Sequence, residues 1–223
     1  MLEFTLGLLP PCTHERLAMT SASVATMAER PAVTLAAFGL ASGILSATLG
    51  FMFEPPWLEP IAALFWLEPG MMPIGLFYGV ALGLGLMLCT GRQLAAPLVL
   101  ITTLIAWSAA IHTAIAIVKL GDGTPDAPRN LVAGVAAGAI GAGLTHIGAT
   151  PVAAALRSLR GIALTTAVGA VCGALYCLEE MKIIPARTLY VVWQPAVAFC
   201  IGLAMTGAFA ALTPSATSAP RQP

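Results

Sequence analysis

The sequence is short of charge. Lys, Arg, Asp and Glu make up 9% of its 223 residues, against about 25% in an average soluble domain. Ten basic and ten acidic side chains cannot cover the outside of a water-soluble chain of this length. The formal net charge is +0, with no basic run and no acidic tail, which removes the electrostatic footprint of a nucleic-acid partner. The catalytic and cofactor fingerprints are missing too: there is no H-E-x-x-H, no P-loop and no G-x-G-x-x-G. No catalytic residue, cofactor or metal site is therefore expected. The five cysteines, Cys12, Cys89, Cys172, Cys177 and Cys200, include no C-x-x-C pair and read as structural thiols rather than a disulfide framework or zinc site. The first residues lack a signal peptide's pattern, because Glu3 stands where a positive start is usual and Phe4 to Leu9 is too short an apolar core.

What is present is grease. The hydrophobic set reaches 58% and the mean hydropathy is +0.90. Arg outnumbers Lys eight to two, and Ala and Gly are abundant; this leans towards a GC-rich bacterial genome. A bilayer core about 30 Å thick needs about 20 apolar residues per helix. Six stretches lie free of Asp, Glu, Lys and Arg: 31–53, 69–91, 93–118, 130–156, 161–178 and 188–220. In lipid every backbone amide must be paired within the protein, and these runs lack the alternation of barrel strands. The expected fold is an all-α membrane protein, a bundle of six transmembrane helices with short loops. The helices are placed near 32–53, 72–90, 94–118, 131–155, 161–178 and 189–212. Residues 32–212 then form the transmembrane domain, between a cytoplasmic tail at 1–31 (Met19 and Met27 offer alternative starts) and another at 213–223.

Orientation follows the bias of Lys and Arg towards cytoplasmic loops. The loops at Arg92 and at Arg157–Arg160 are short and purely basic, whereas the opposite side carries most of the acids and Trp57, Trp66, Tyr176, Tyr190 and Trp193. That predicts a multi-pass protein of the bacterial inner membrane with both termini cytoplasmic. Lipid is the first expected partner. Association between such helices rests on small residues, because lipid tails are as apolar as Leu. Gly39/Gly43, Gly75/Gly79/Gly83, Gly134/Gly138 and Gly169/Gly173 are spaced one turn apart. They predict a tightly packed bundle, or a face for a second copy or another membrane subunit. Matching steps in the two halves also suggest an inverted repeat of three helices each.

Six residues are candidate contacts for a transported or bound ligand: Glu54, Glu59, Glu68, His112, His146 and Gln194. The stretch Phe-Glu-Pro-Pro-Trp-Leu-Glu-Pro-Ile-Ala-Ala-Leu-Phe-Trp-Leu-Glu-Pro repeats Trp-Leu-Glu-Pro. Its piece near 57–68 is too short to cross and is expected to be interfacial or re-entrant. Its three carboxylates, Glu54, Glu59 and Glu68, attract cations or stand in water. His112 and His146 fall inside spans, where ionisable groups are functional candidates by default or hydrogen-bonded structural groups. Counted along straight helices they lie at different depths, which argues against a shared haem. Trp193-Gln194-Pro195 places a proline in the last span, freeing the carbonyl of Val191 beside an amide side chain. The loop with Asp122 and Asp126 reads as an exposed turn, and Glu179, Glu180, Lys182 and Arg187 as a self-compensating charge cluster.

The leading expectation is a small permease, channel or membrane subunit of a small-solute uptake system. The alternative is a non-catalytic membrane scaffold, assembly factor or regulator, favoured by the lack of charge inside the spans. A weaker alternative is a membrane-embedded enzyme working through His146 or Ser42.

Overall fold

The computed structural model describes residues 29–53, 55–120 and 126–208. The expected C-terminal tail and residues 1–28 of the expected N-terminal one, with Cys12, lie outside the described residues, as do Glu54 and Asp122. Eight α-helices are seen among the described residues: α1 (Pro31–Leu49), α2 (Leu58–Leu64), α3 (Met72–Thr90), α4 (Ala95–Lys119), α5 (Ala127–Ala149), α6 (Leu159–Gly173), α7 (Leu175–Glu180) and α8 (Thr188–Met205). With α7 continuing α6 after a break at Ala174, six spans are long and apolar enough to cross a bilayer. The protein is an all-α, multi-pass membrane bundle.

Local sequence sets where these helices begin and end. Pro31 and Pro128 sit in the first turns of α1 and α5, where the missing N–H is one the helix could not use anyway. Gly91 closes α3 at φ 69°, giving its N–H to Met87 O at 2.8 Å, a left-handed stop that glycine adopts without penalty. Ser158 accepts from the N–H of Gly161 and caps α6. Three spans stop well before their uncharged tracts end. The first, expected to reach 53, stops at Leu49, and Phe51 and Met52 follow as a turn. The fourth, expected at 131–155, runs from Ala127 to Ala149, because Pro128 starts it early and Pro151 cannot continue it. The last ends at Met205, ahead of Gly207 at φ 71°. Freedom from charge marks what lipid tolerates, whereas proline and glycine mark where the helix stops.

The spans form a closed ring. Each packs on its neighbour in sequence, and α8 returns to pack on α1. The glycine steps make these contacts. A Cβ on Gly39 would lie 2.7 Å from Pro195 Cα, and one on Gly43 2.6 Å from Tyr190 O. Gly75, Gly79 and Gly83 face Trp107, Leu100 and Ala96 of α4, while Gly134 and Gly138 interlock with Gly173 and Gly169. All nine glycines are thus used inside the chain. The steps of the two halves engage non-corresponding neighbours: α1 turns its glycines to the last span and α5 turns its own to the next one.

One end of the ring carries Arg30, Arg92, Arg157 and Arg160 and is here the arginine end. The other, with Phe51, Tyr176 and Tyr190, is the aromatic end. Around the arginine end, Leu82, Leu86, Val99, Ala149, Val152, Leu156, Ile201 and Ala204 form one buried core. At the aromatic end α3 starts short. The indole N–H of Trp107, halfway along α4, donates to Met71 O at 2.8 Å. The connection before α3 fills part of that gap from outside. Leu58, Ala62 and Leu67 pack with Met72 and Leu104, and the Ser108 hydroxyl donates to the carbonyl of Phe65. Ser108 lies eleven residues in from Lys119, about 16 Å at about 1.5 Å per residue. The segment at 58–67 therefore runs beside the middle of α4, not beyond its end.

Candidate functional site: an aromatic-floored cavity

Because α3 begins so deep and the facing walls are built of small residues, the interior of the aromatic end is not filled. A cavity of about 320 Å³ lies between α4, α5, the α6–α7 span and α8. Its walls carry Ala110, Ala114, Gly134, Ala137, Gly138 and Gly173, and its inner end carries Trp107 and Trp193. Lys119, at the last turn of α4, is the one charged residue lining it among the described residues. Tyr190 stands edge-on to Trp107 at 6.0 Å between ring centroids, and the same geometry joins Trp193 to Tyr78 at 5.4 Å.

Behind those indoles lies a second, much smaller space of about 10 Å³. Trp107 and Trp193 belong to both walls. The small chamber is also lined by Tyr78, Thr103, Thr145 and Gln194. Three of these lining residues carry a buried polar atom with no hydrogen-bond partner among the described residues: Tyr78 Oη, Thr103 Oγ1 and Trp193 Nε1. Most buried polar side-chain atoms are paired, so three around one small space are a reason to ask what polar group they would meet.

The residues singled out in the sequence fall in different places. Gln194 is 2% exposed and locks α8 to α1: Ser42 donates to its Oε1 at 2.6 Å, and its Nε2 donates to Ser46 at 3.0 Å. It also lines the chamber. Ser42 is thus held by an amide and by the carbonyl of Gly39, with no imidazole bonded to it among the described residues. His146 is fully buried at the arginine end. Its Nε2 faces Leu156 O at 3.1 Å and its Nδ1 faces Thr165 Oγ1 at 2.7 Å. A carbonyl can only accept, so Nε2 carries the proton, while the Thr165 hydroxyl beside Nδ1 also donates to the carbonyl of Gly161 at 2.8 Å. This ties α5 to α6 and to the turn at 154–157, which Arg92 also holds through Val152 O at 2.8 Å. His112 is exposed, with Nδ1 2.8 Å from Ser108 O. Glu59 and Glu68 are exposed and line neither space; Glu54 lies outside the described residues. The expected charge cluster resolves differently: Glu179 accepts from Leu189 N–H at the start of α8, while Arg187 donates to Ala47 O at 3.0 Å and covers the Phe51 ring at 4.8 Å.

Sequence reasoning read Trp193 as part of the aromatic side and of the Trp193-Gln194-Pro195 stretch, gave Trp107 no part in a site, and passed over Tyr78 and Thr103. A usable signal was there. Trp prefers the membrane interfaces, so an indole at mid-span beside Gly75 speaks for an interior task. No family model, no curated protein and no solved structure matches the chain.

Proposed function

We propose that this chain is a small permease or membrane subunit of a small-solute uptake system, with the cavity at the aromatic end as its solute site. One observation carries the reading: among the described residues a cavity opens the interior at the aromatic end, while a buried core fills the arginine end. A carrier or solute-receiving subunit needs that asymmetry, and binding sites in helix bundles are typically concave, apolar and few. We place the arginine end in the cytosol of a bacterial cell and the aromatic end outside, following the bias of Arg towards cytoplasmic loops.

The test is a small-molecule screen by thermal shift on the full chain in detergent, run in parallel on Ala114→Phe. A ligand that binds only the folded state raises stability with the logarithm of its concentration. Compounds that stabilise the wild type and fail on the filled variant support a solute site. If every compound acts equally on both proteins, the reading falls. For orientation, a lone cysteine at Val118 should react with an impermeant maleimide on intact spheroplasts, and one at Ala153 only after lysis; the reverse pattern overturns the placement.

A second reading, a non-catalytic scaffold or regulator, is favoured by a separate observation. Among the described residues no Asp, Glu, Lys or Arg is buried, and ion-coupled carriers commonly use such groups. An uncoupled or subunit role reconciles the two, and the same screen divides them.

A further inference from the structure

The two spaces differ in chemistry, and together they describe a ligand. The larger one is walled by Ala, Gly, Ile and aromatic side chains, and among the described residues only Lys119, at its mouth, brings a charge. A cavity of about 150 Å³ lined by apolar side chains accommodates benzene. One of about 320 Å³ has room for roughly two fused rings or a branched aliphatic of that bulk. The small chamber, at about 10 Å³, is near the minimum that holds a single water-sized atom. Tyr78 is 3% exposed, Thr103 2% and Trp193 8%, so all three unpartnered polar groups are well shielded.

Their donor and acceptor capacities restrict what that atom can be. An indole N–H only donates, whereas the Tyr78 and Thr103 hydroxyls both donate and accept. The guest atom must therefore accept from Trp193. A carbonyl or hydroxyl oxygen satisfies this. An ammonium has no lone pair and leaves the indole unpaired. A carboxylate brings two oxygens and an uncompensated charge into a site with no cation, which is costly away from water.

We propose that the cavity binds a small, uncharged, largely apolar molecule ending in one carbonyl or hydroxyl oxygen, and that Trp193, Tyr78 and Thr103 receive that oxygen across the wall the two spaces share. This deepens the solute-site reading and rests on it. It also gives Trp193 a specific part, as the side chain that touches both the body of the ligand and its polar end.

The experiment uses the full chain in detergent and three matched probes: 1-naphthol, naphthalene and 1-naphthoate. Binding is read by equilibrium dialysis, with the Ala114→Phe protein in the same detergent as the blank for partition into micelles. In the wild type, 1-naphthol should bind about tenfold tighter than naphthalene, the size of one well-made hydrogen bond, and 1-naphthoate should not exceed the blank. Tyr78→Phe and Thr103→Val should each bring 1-naphthol to within about twofold of naphthalene while leaving naphthalene unchanged. Thr103→Ser, which keeps the hydroxyl, should retain the preference. Equal binding of naphthol and naphthalene by the wild type overturns this inference and leaves the solute site standing. So does a preference that survives both hydroxyl deletions. Tight 1-naphthoate binding lost in Lys119→Met overturns it in favour of an anionic ligand. If no probe exceeds the blank, both the inference and the solute-site reading fall.

Discussion

The two ends of this bundle are made of similar residues and do opposite things. At the arginine end, Leu and Val side chains interdigitate into a continuous core, and the turn after α5 is folded back and held by Arg92 and His146. At the aromatic end, the helices are as apolar, but six of the residues lining the cavity are Ala or Gly, and Met71, just before α3, lines it too. Lipid cannot distinguish these ends, because it reads only the outward faces. The difference is set by side-chain volume inside the ring and by where one helix starts. Two polar groups sharpen the contrast: His146 is buried with both nitrogens within hydrogen-bond distance of a partner, and Trp193 is buried with its N–H unpaired among the described residues.

The contrast can be broken at four points, with declining force. The largest effect is expected where the α5–α6 contact supports both ends. A Cβ on Gly169 would collide with Ala142 and the carbonyl of Gly138. Backbone cannot yield as a side chain does, so Gly169→Leu should exceed the about 1–3 kcal/mol typical of an overpacked core. The expected outcome is loss of the monodisperse species on size-exclusion chromatography in detergent. A variant that elutes and melts like the wild type would refute the close approach of these helices.

Next comes His146→Ala, which attacks the arginine end alone. It orphans the carbonyl of Leu156 and leaves space behind. Each buried group so exposed costs about 1–3 kcal/mol, so the melting temperature should fall by several degrees. The naphthalene affinity of the other end should hold within about twofold, since distant sites act nearly additively. If ligand binding falls with stability, the ends are coupled and the closed end is part of the site.

Much of this architecture was legible beforehand, and the reason is physical. Charge positions report the water–lipid boundary directly, so six uncharged tracts gave six spans, and the starts of α3, α4 and α8 fell within a residue or two. Helix ends were poorer, because Pro151 and Gly207 stop a helix without changing its hydropathy. The cavity was not legible at all. It arises from which of many alanines and glycines face inward, and no periodicity marks that in a span apolar on every side. Gln194 was singled out for its polarity, yet polarity could not say whether it would meet a solute or the serines of α1. Tyr78 and Thr103 were missed because a hydroxyl in an apolar helix ordinarily bonds a carbonyl of its own helix, as Thr102 does with Leu98.

The middle-sized effects belong to the α1–α8 seam. Gln194→Leu removes the bridge to Ser42 and Ser46. Hydrogen bonds between membrane helices average about 0.6 kcal/mol by double-mutant cycles, so two of them predict a loss near 1 kcal/mol. A thermal-melt series on Gln194→Leu, Ser42→Ala and the double variant reads the coupling. Purely additive losses would show that the amide and the hydroxyl do not act together.

The smallest effect should come from filling the hollow end, and that makes it the most discriminating. Ala114 is half-buried on the wall of the cavity. Replacing it by Phe adds volume where no packed atoms need to move, unlike Gly169. Well-packed interiors resist added methylenes at about 1–3 kcal/mol, because side chains are forced off their rotamers; a cavity wall does not. Ala114→Phe is therefore expected to shift the melting temperature by no more than a degree or two, and upwards if the ring fills the space well. The same change at Val99, fully buried in the core of the arginine end, should lower it clearly. Equal losses at both positions would mean that the aromatic end closes in the membrane. Tolerance at Ala114 beside intolerance at Val99 is the behaviour of a bundle that keeps one end open.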